Sequence, residues 1–344
     1  IYGATGYTGV LTAERAVELG HRPILAGRNA ERVKGVAEQL GLEWRAFSLA
    51  DEAATAKGLE GVDAALLAAG PFSATSAPFV AACLRAGVHY LDITGEIDVF
   101  EAIMARDGEA KAAGIVMIPG VGLDVVPTDC LAAMLKARLP TATHLELALR
   151  TKGGISPGTS KTMIEGLGLG GRERIGGHIR PVVSGYKQRD VEFSSGVRTV
   201  VSVPWGDVST AFHTTRVPNV RTYMALSPAA ARSMRLNDAL KKLYGLGPVQ
   251  ALLKWLTERT VEGPDANARA TGRVEIWGEA RDAGRAVQGM FVCSEGYTFT
   301  ADASIAAMSR VLEGRVGPGA WTPGRAFGPE FVLELPGVRD LVFR

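Results

Sequence analysis

Three glycines spaced three apart, Gly3-Ala4-Thr5-Gly6-Tyr7-Thr8-Gly9, follow the stub of an apolar strand and precede a helical run from Val10 to Gly20. A pyrophosphate demands such a pattern: a tight turn, backbone that can approach the phosphates, close helix-on-strand packing, and helix N-terminal N–H groups aimed at the anion. Gly3, Thr5, Gly6, Tyr7, Thr8 and Gly9 are therefore expected to cradle a dinucleotide. Nineteen residues beyond Gly9 the second strand ends in Ala26-Gly27-Arg28-Asn29, with Arg28 where an NAD site usually places a carboxylate. Arg28, Asn29 and, one helical turn on, Arg32 offer a guanidinium fork and positive charge to a 2′-phosphate, so the expected cofactor is NADP(H). Two solvated surface arginines are the competing reading. Leu49 and Ala50 are placed to border the adenine, and Ala69, Gly70, Pro71 and Phe72 to lie near the nicotinamide ribose.

Reduction also needs a proton, and four residues are candidates to deliver it. Period-2 alternation puts Tyr90, Asp92 and Thr94 on one face of the fifth strand, and Asp124 follows the sixth, both at carboxyl ends where doubly wound sheets bind ligands. Tyr90 or a carboxyl of raised pKa, Asp92, Asp124 or Glu96, could protonate the reduced carbon's partner; Asp92 reads equally as a capping or loop carboxylate, and Glu96 and Asp124 read more readily so. Lys161 is a secondary donor candidate in a Gly-rich stretch from Gly153 to Gly177. Other chemistries lack their residues. No Tyr has a Lys four positions on, as short-chain dehydrogenases require, and HExxH and a Walker lysine after the glycine loop are absent. The five His residues have no ligand spacing, so no metal is expected.

The elements that must position these residues alternate in a βαβ rhythm over residues 1–135. Val33, Val36, Ala37 and Leu40 recur at helical spacing between a possible N-cap at Asn29 and a stop at Gly41. Strands are expected at 23–26, 42–46, 63–69, 89–94 and 115–118, with helices near 51–60, 75–86 and 98–113. From about 140 the texture changes to strand-like stretches at 145–151, 199–203 and 212–216. Arg273–Arg281 and Ala286–Cys293 flank the hairpin turn Asp282-Ala283-Gly284-Arg285. Residues 229–259 read as helical, interrupted at 245–248. The basic run Arg172, Arg174, Arg180, Lys187 and Arg189, diluted by Glu173 and Asp190, reads as a solvated face ahead of an anionic-substrate site. The expected fold class is α/β, with an N-terminal Rossmann doubly wound parallel sheet and a second α/β domain whose sheet is largely antiparallel.

Composition sets the outer bounds. With 344 residues the chain is long enough for about two domains. Its 38 basic against 36 acidic residues give a net charge of +2, which disfavours nucleic acid as a partner. Cys83, Cys130 and Cys293 are odd in number and far apart, so neither a disulfide framework nor a CxxC site is read, and a cytoplasmic location is expected. No apolar stretch approaches the roughly 20 residues of a transmembrane helix. Only Ile1-Tyr2 precede the glycine turn, so the strand's beginning, and any targeting signal, is expected upstream of residue 1.

Four segments together resemble the saccharopine dehydrogenase-like oxidoreductases, the group that includes the trans-acting enoyl reductases. They are Tyr2 to Gly9; Gly70-Pro71-Phe72 with Gly87-Val88-His89-Tyr90-Leu91-Asp92-Ile93-Thr94-Gly95-Glu96; Pro119-Gly120-Val121-Gly122-Leu123-Asp124-Val125-Val126-Pro127-Thr128-Asp129; and Gly319-Ala320-Trp321-Thr322-Pro323. Where the family often has Gly-Phe-Asp-Ser-Ile-Pro-Ser-Asp, Val125 replaces a hydroxyl residue. The resemblance implies a Rossmann domain over 1–135, an α/β substrate or dimerisation domain over 136–300, and a C-terminal helix and tail, 301–344, returning to the first domain. It also implies NADP(H)-dependent transfer of hydride to a C=C, C=O or C=N group of a small-molecule or acyl/lipid substrate held between the domains, and it admits a homodimer. The rival reading is an NADP(H)-binding sensor or partner-binding protein without turnover.

Overall fold

The computed structural model describes residues 1–152 and 154–344; Gly153, where the Gly-rich stretch begins, lies outside the described residues. The chain divides into two units, 1–126 with 297–327, and 127–296 with 328–344.

The first unit carries α1 (Tyr7–Glu18), β1 (Leu25–Gly27), α2 (Ala30–Leu40), β2 (Trp44–Ala46), α3 (Glu52–Gly58), β3 (Ala64–Leu67), α4 (Phe72–Ala86), β4 (His89–Asp92), α5 (Ile97–Met104), α6 (Asp107–Ala113) and β5 (Val116–Ile118). All strand pairs here are parallel. Tyr2 bridges Ala26 on one side and Leu67 on the other, so it occupies the centre of the sheet. Strand order runs outward from Tyr2 through β1 to β2 and, in the other direction, through β3, β4 and β5 to Gly319–Ala320. That reversal is the topological switch point at which such sheets bind ligands. Alternation along β1 sends Leu25 into one apolar cluster with Val33 and Ala37, and Ala26 into another with Phe79, Tyr90 and Met117.

Local signals set the element ends. The Asn29 side chain accepts from the Arg32 amide at 2.9 Å, opening α2, and Gly41 closes it in the left-handed region. The expected helix 98–113 is two helices, with Ala105-Arg106 between them.

The second unit begins with the body of α7 (Val126–Arg138). A Cβ on Gly278 would lie 2.8 Å from Leu135 and 3.1 Å from Leu131, so this helix packs on the second sheet and the unit changes at 126/127 rather than at 135. The remaining elements are β6 (His144–Lys152), α8 (Pro157–Leu167), β7 (Gly171–Ile175), β8 (His178–Val182), β9 (Gln188–Phe193), β10 (Gly196–Ser202), α9 (Asp207–Thr215), β11 (Asn219–Ala225), α10 (Pro228–Ala239), α11 (Lys241–Tyr244), α12 (Gly247–Thr260), α13 (Ala266–Thr271), β12 (Arg273–Arg281) and β13 (Ala286–Ser294). With Arg339–Phe343 at its edge, this sheet has nine strands among the described residues. Only β6 and β11 pair in parallel, so it is largely antiparallel. In the β12–β13 turn, Asp282 accepts from the amides of Gly284 and Arg285.

Two expectations fail here. Phe212–Arg216 is not a strand but the end of α9. Its aromatic and β-branched residues favour a strand locally, yet Val208, Ala211 and Thr215 fall on one buried helical face, and Arg216 at φ 59° terminates the helix. The basic run is not simply a solvated face either: Arg174 is buried, donates to the Val208 carbonyl at 2.9 Å and stacks over Phe212. The segment expected to return to the first domain divides, with 301–327 in the first unit and 328–344 in the second. Among the described residues no helix is long and apolar enough to cross a membrane.

Candidate nucleotide-binding site

The turn between Tyr2 and α1 has no room for side chains at two of its glycines. Gly3 sits at φ +92°, where a Cβ would come within 2.7 Å of the Ala68 and Ala69 backbone, and a Cβ on Gly9 would stand 2.2 Å from the Gly3 carbonyl oxygen. Helix α1 is thereby pressed against the switch point. Gly6 is its N-cap and brings no capping side chain, and no acidic residue stands in the first turn. An anion fits such an end, because amide dipoles concentrate positive potential there without a competing carboxylate. Thr5 and Thr8 are half-buried beside it, and the Tyr7 ring meets the Tyr297 ring edge-on at 4.8 Å. That partner, on the helix Gly296–Leu312, has no local sequence signal and was not among the expected residues. The same helix is held by an ion pair between Arg15 and Asp302 at 2.6 Å.

Arg28 and Arg32 are exposed at the end of β1 and in the first turn of α2, in no ion pair among the described residues, while Asn29 is occupied as the cap of α2. Leu49 is buried and Ala50 exposed at the loop leaving β2. Beyond β3, Ala69-Gly70-Pro71 contains a cis peptide bond before Pro71, and Phe72 is buried. The Glu96 carboxylate accepts from the amides of Phe72 and Ser73, each at 2.8 Å. It therefore caps α4 from a distance of 24 residues in sequence, through a charge-assisted bond to a helix N-terminus.

Tyr90 and Asp92 are both fully buried, and the Tyr90 hydroxyl donates to Asp92 at 2.7 Å. The other Asp92 oxygen accepts from the amides of Thr94 and Gly120, at 2.9 and 2.8 Å, and the Asp92 carbonyl accepts from Val121. One carboxylate thus ties the loop after β4 to the loop after β5. Burial pushes Asp92 up to about 6 against the pull of these bonds, and burial together with the neighbouring Asp92 lifts Tyr90 well above its ordinary value. A side chain enclosed in this way positions backbone; it does not face solvent.

Asp124 is partly exposed and lies against Gly95, whose absent Cβ would fall 2.8 Å from an Asp124 oxygen. Desolvation raises its carboxyl to about 6, well above the ordinary aspartate value. Leu123 donates its amide to Thr300 at 3.1 Å, and Gly122 packs on the Thr300 side chain, fixing this loop from the helix 296–312. The structure thus gathers the glycine turn, the β4 and β5 loops and Asp124 at the carboxyl ends of one parallel sheet. Lys161 belongs to α8 of the second unit, a helix capped by Ser156. Among the described residues no cluster of His, Cys, Asp and Glu could hold a metal.

A parallel sheet whose order reverses at a glycine-lined helix N-terminus, with arginines at the end of the next strand, defines a dinucleotide-binding domain of the Rossmann class. Residues 1–118 match the family model of the saccharopine dehydrogenase NADP-binding domain, and the nucleotide is NADP(H). A trans-acting enoyl reductase of Mycobacterium leprae is 35% identical over 147 residues, 40% of this chain and 35% of the relative. One of Mycobacterium tuberculosis (strain H37Rv) is 38% identical over 139 residues, 38% of this chain and 33% of the relative. The chain thus spans about a third of the length of these curated relatives. Saccharopine dehydrogenase (L-Glu forming) from Saccharomyces cerevisiae has the same fold over 99% of this chain and 98% of its own, with a TM-score of 0.67 at 11% identity.

Proposed function

We propose that the protein is an NADP(H)-dependent oxidoreductase of the saccharopine dehydrogenase-like type, acting on a C=C, C=O or C=N group of a substrate still to be identified. The observation that carries this is the glycine cradle at the switch point, where Gly3 and Gly9 leave only backbone around an uncapped helix end. Bound NADP(H) supplies hydride from C4 of its nicotinamide. The turn from Gly3 to Gly9 holds the pyrophosphate, Arg28 and Arg32 the 2′-phosphate, Leu49 and Ala50 the adenine edge, and 69–72 the nicotinamide ribose. Asp124 holds the proton delivered to the substrate, with Lys161 the second candidate, and Asp92 positions both loops through the Thr94 and Gly120 amides.

Calorimetric titration with NADPH and NADH tests the cofactor assignment. NADPH binds more tightly than NADH, and Arg28→Ala weakens NADPH by about tenfold, roughly 1.4 kcal/mol, while leaving NADH unaffected. Binding of neither nucleotide refutes the proposal. With a turned-over acceptor in hand, Asp124→Asn lowers kcat by about 100-fold or more at unchanged NADPH affinity. Because Asp124 must be protonated to act, wild-type kcat falls as pH rises through about 6.

The burial of Tyr90 and Asp92 favours a second reading, a nucleotide-dependent sensor or partner-binding protein, because two of the expected proton donors face inward. Tight NADPH binding with no hydride transfer to enoyl, carbonyl or imine acceptors would select it.

A further inference from the structure

We propose that the outer face of α11 and α12 docks on an anionic lipid bilayer, an assignment independent of the nucleotide site. Leu252, Trp255 and Leu256 fall at i, i+3 and i+4 of α12 and are 57%, 50% and 44% exposed. Leu243 on α11 and Leu246 in the turn after it are 49% and 52% exposed. Single exposed leucines are ordinary, but a strip of Leu and Trp on one helical face marks an interaction surface. The opposite side of α12 is already engaged: Gln250 donates to the Ile164 carbonyl at 3.0 Å, and Lys254 pairs with Glu165 on α8. The apolar strip is therefore the side that α8 does not cover.

Charge selects the partner. Residues 228–260 carry Arg232, Arg235, Lys241, Lys242, Lys254 and Arg259 against Asp238 and Glu258, in a chain whose net charge is only +2, and with Lys254 paired to Glu165 and Lys241 to Asp238 the segment still keeps an excess of cations. Arg259 places its guanidinium over the Trp255 ring at 3.7 Å, and Lys242 is exposed next to Leu243, so cations rim the apolar strip. Leu and Trp flanked by Lys and Arg is the composition of helices that lie in the headgroup layer of anionic membranes. A partner helix fits less well, because Gly245, Gly247 and Pro248 interrupt the segment and leave no continuous heptad seam. At 14 residues α12 is too short to cross the hydrocarbon core, so the contact is peripheral.

The test is co-sedimentation of the full chain with vesicles of phosphatidylcholine alone or with about 30% phosphatidylglycerol. The expected result is binding to the anionic vesicles at least about tenfold stronger than to the neutral ones, weakened by salt. Replacing the strip with Leu252→Ser, Trp255→Ser and Leu256→Ser together lowers anionic-vesicle binding by about tenfold or more, with an unchanged thermal melt showing that the fold survives. The single variant Lys242→Glu gives a smaller loss in the same direction. No binding to anionic vesicles overturns the proposal, and so does equal binding by the triple variant, which would trace attraction to the chain's general charge. Concentration-dependent dimerisation abolished by the triple variant, without vesicle binding, would also overturn it and make the strip an interface between copies.

Discussion

At the carboxyl ends of β1, β4 and β5 in the first unit, arginines stand exposed and glycines leave backbone uncovered, whereas on the second unit's sheet acids and arginines face one another. Arg221 reaches Glu173 at 2.6 Å and Glu146 at 2.9 Å, Arg189 pairs with Glu146 and with Glu279 at 3.2 Å, and Tyr186 and Gln288 donate to Glu173 and Glu279. Nearby, burial pushes Glu275 up, yet bonds from Ser194, Ser195 and Arg150 outweigh it and hold the carboxyl at about 2. The second sheet therefore neutralises its charges within itself, and the first leaves donors uncommitted where an anion can take them. Arg189 and Arg221 are thus not available to an anionic ligand, because they already have carboxylate partners.

Breaking the paired side should cost the most stability. Arg221→Met takes the arginine from Glu173, leaving it the Tyr186 hydroxyl, and one of two arginines from Glu146, and chemical denaturation should show a loss of about 4 kcal/mol with unchanged NADPH affinity. A loss under 1 kcal/mol would mean the network is solvated and the contrast with the first unit is false. Next comes Asp92, a fully buried carboxylate of the first unit. Folded Asp92 keeps its proton to about pH 6 while an unfolded aspartate releases it near 3.8, so its contribution is complete below about pH 4 and declines as pH rises through 6. The Asp92 contribution should fall by about 3 kcal/mol over that window, so Asp92→Asn should change the slope of stability against pH by about that amount in denaturation curves taken from pH 4 to 7. The smallest effect is that of Glu96→Gln, which weakens the cap of α4 by ~1 kcal/mol and should shift the melting temperature by a few degrees only.

The same contrast explains what was legible in the sequence. The nucleotide turn is written in consecutive residues, and α2 announces both its ends through Asn29 and Gly41, so local physics was enough. The acid–arginine network joins Glu146, Glu173, Arg189, Arg221 and Glu279, residues with no shared spacing that only strand register brings together. The alternation Glu275-Trp277-Glu279 was the one trace of it in the sequence. Helix α9 was misread because Phe212 to Thr215 carry strand-favouring side chains whose burial pattern, set by tertiary packing, has helical period. Glu96 reads in the sequence more readily as a capping or loop carboxylate than as a catalytic acid, but which helix it caps, through Phe72 and Ser73, depends on two strands lying side by side. Asp92 was placed correctly beside Tyr90 by alternation, whereas its complete enclosure needed the packed sheet.

The first unit is assembled from two stretches of chain, 1–126 and 297–327, with the whole middle of the second unit between them. Gly319 and Ala320 pair with β5, and Thr300 receives the Leu123 amide. During synthesis, then, the outer edge of β5 stays unpaired while some two hundred residues are added, and the nucleotide domain is completed only as residues 297–327 emerge. A fragment ending at 126 would carry the entire glycine motif and still present an open strand edge, prone to joining another chain in place of its own final segment.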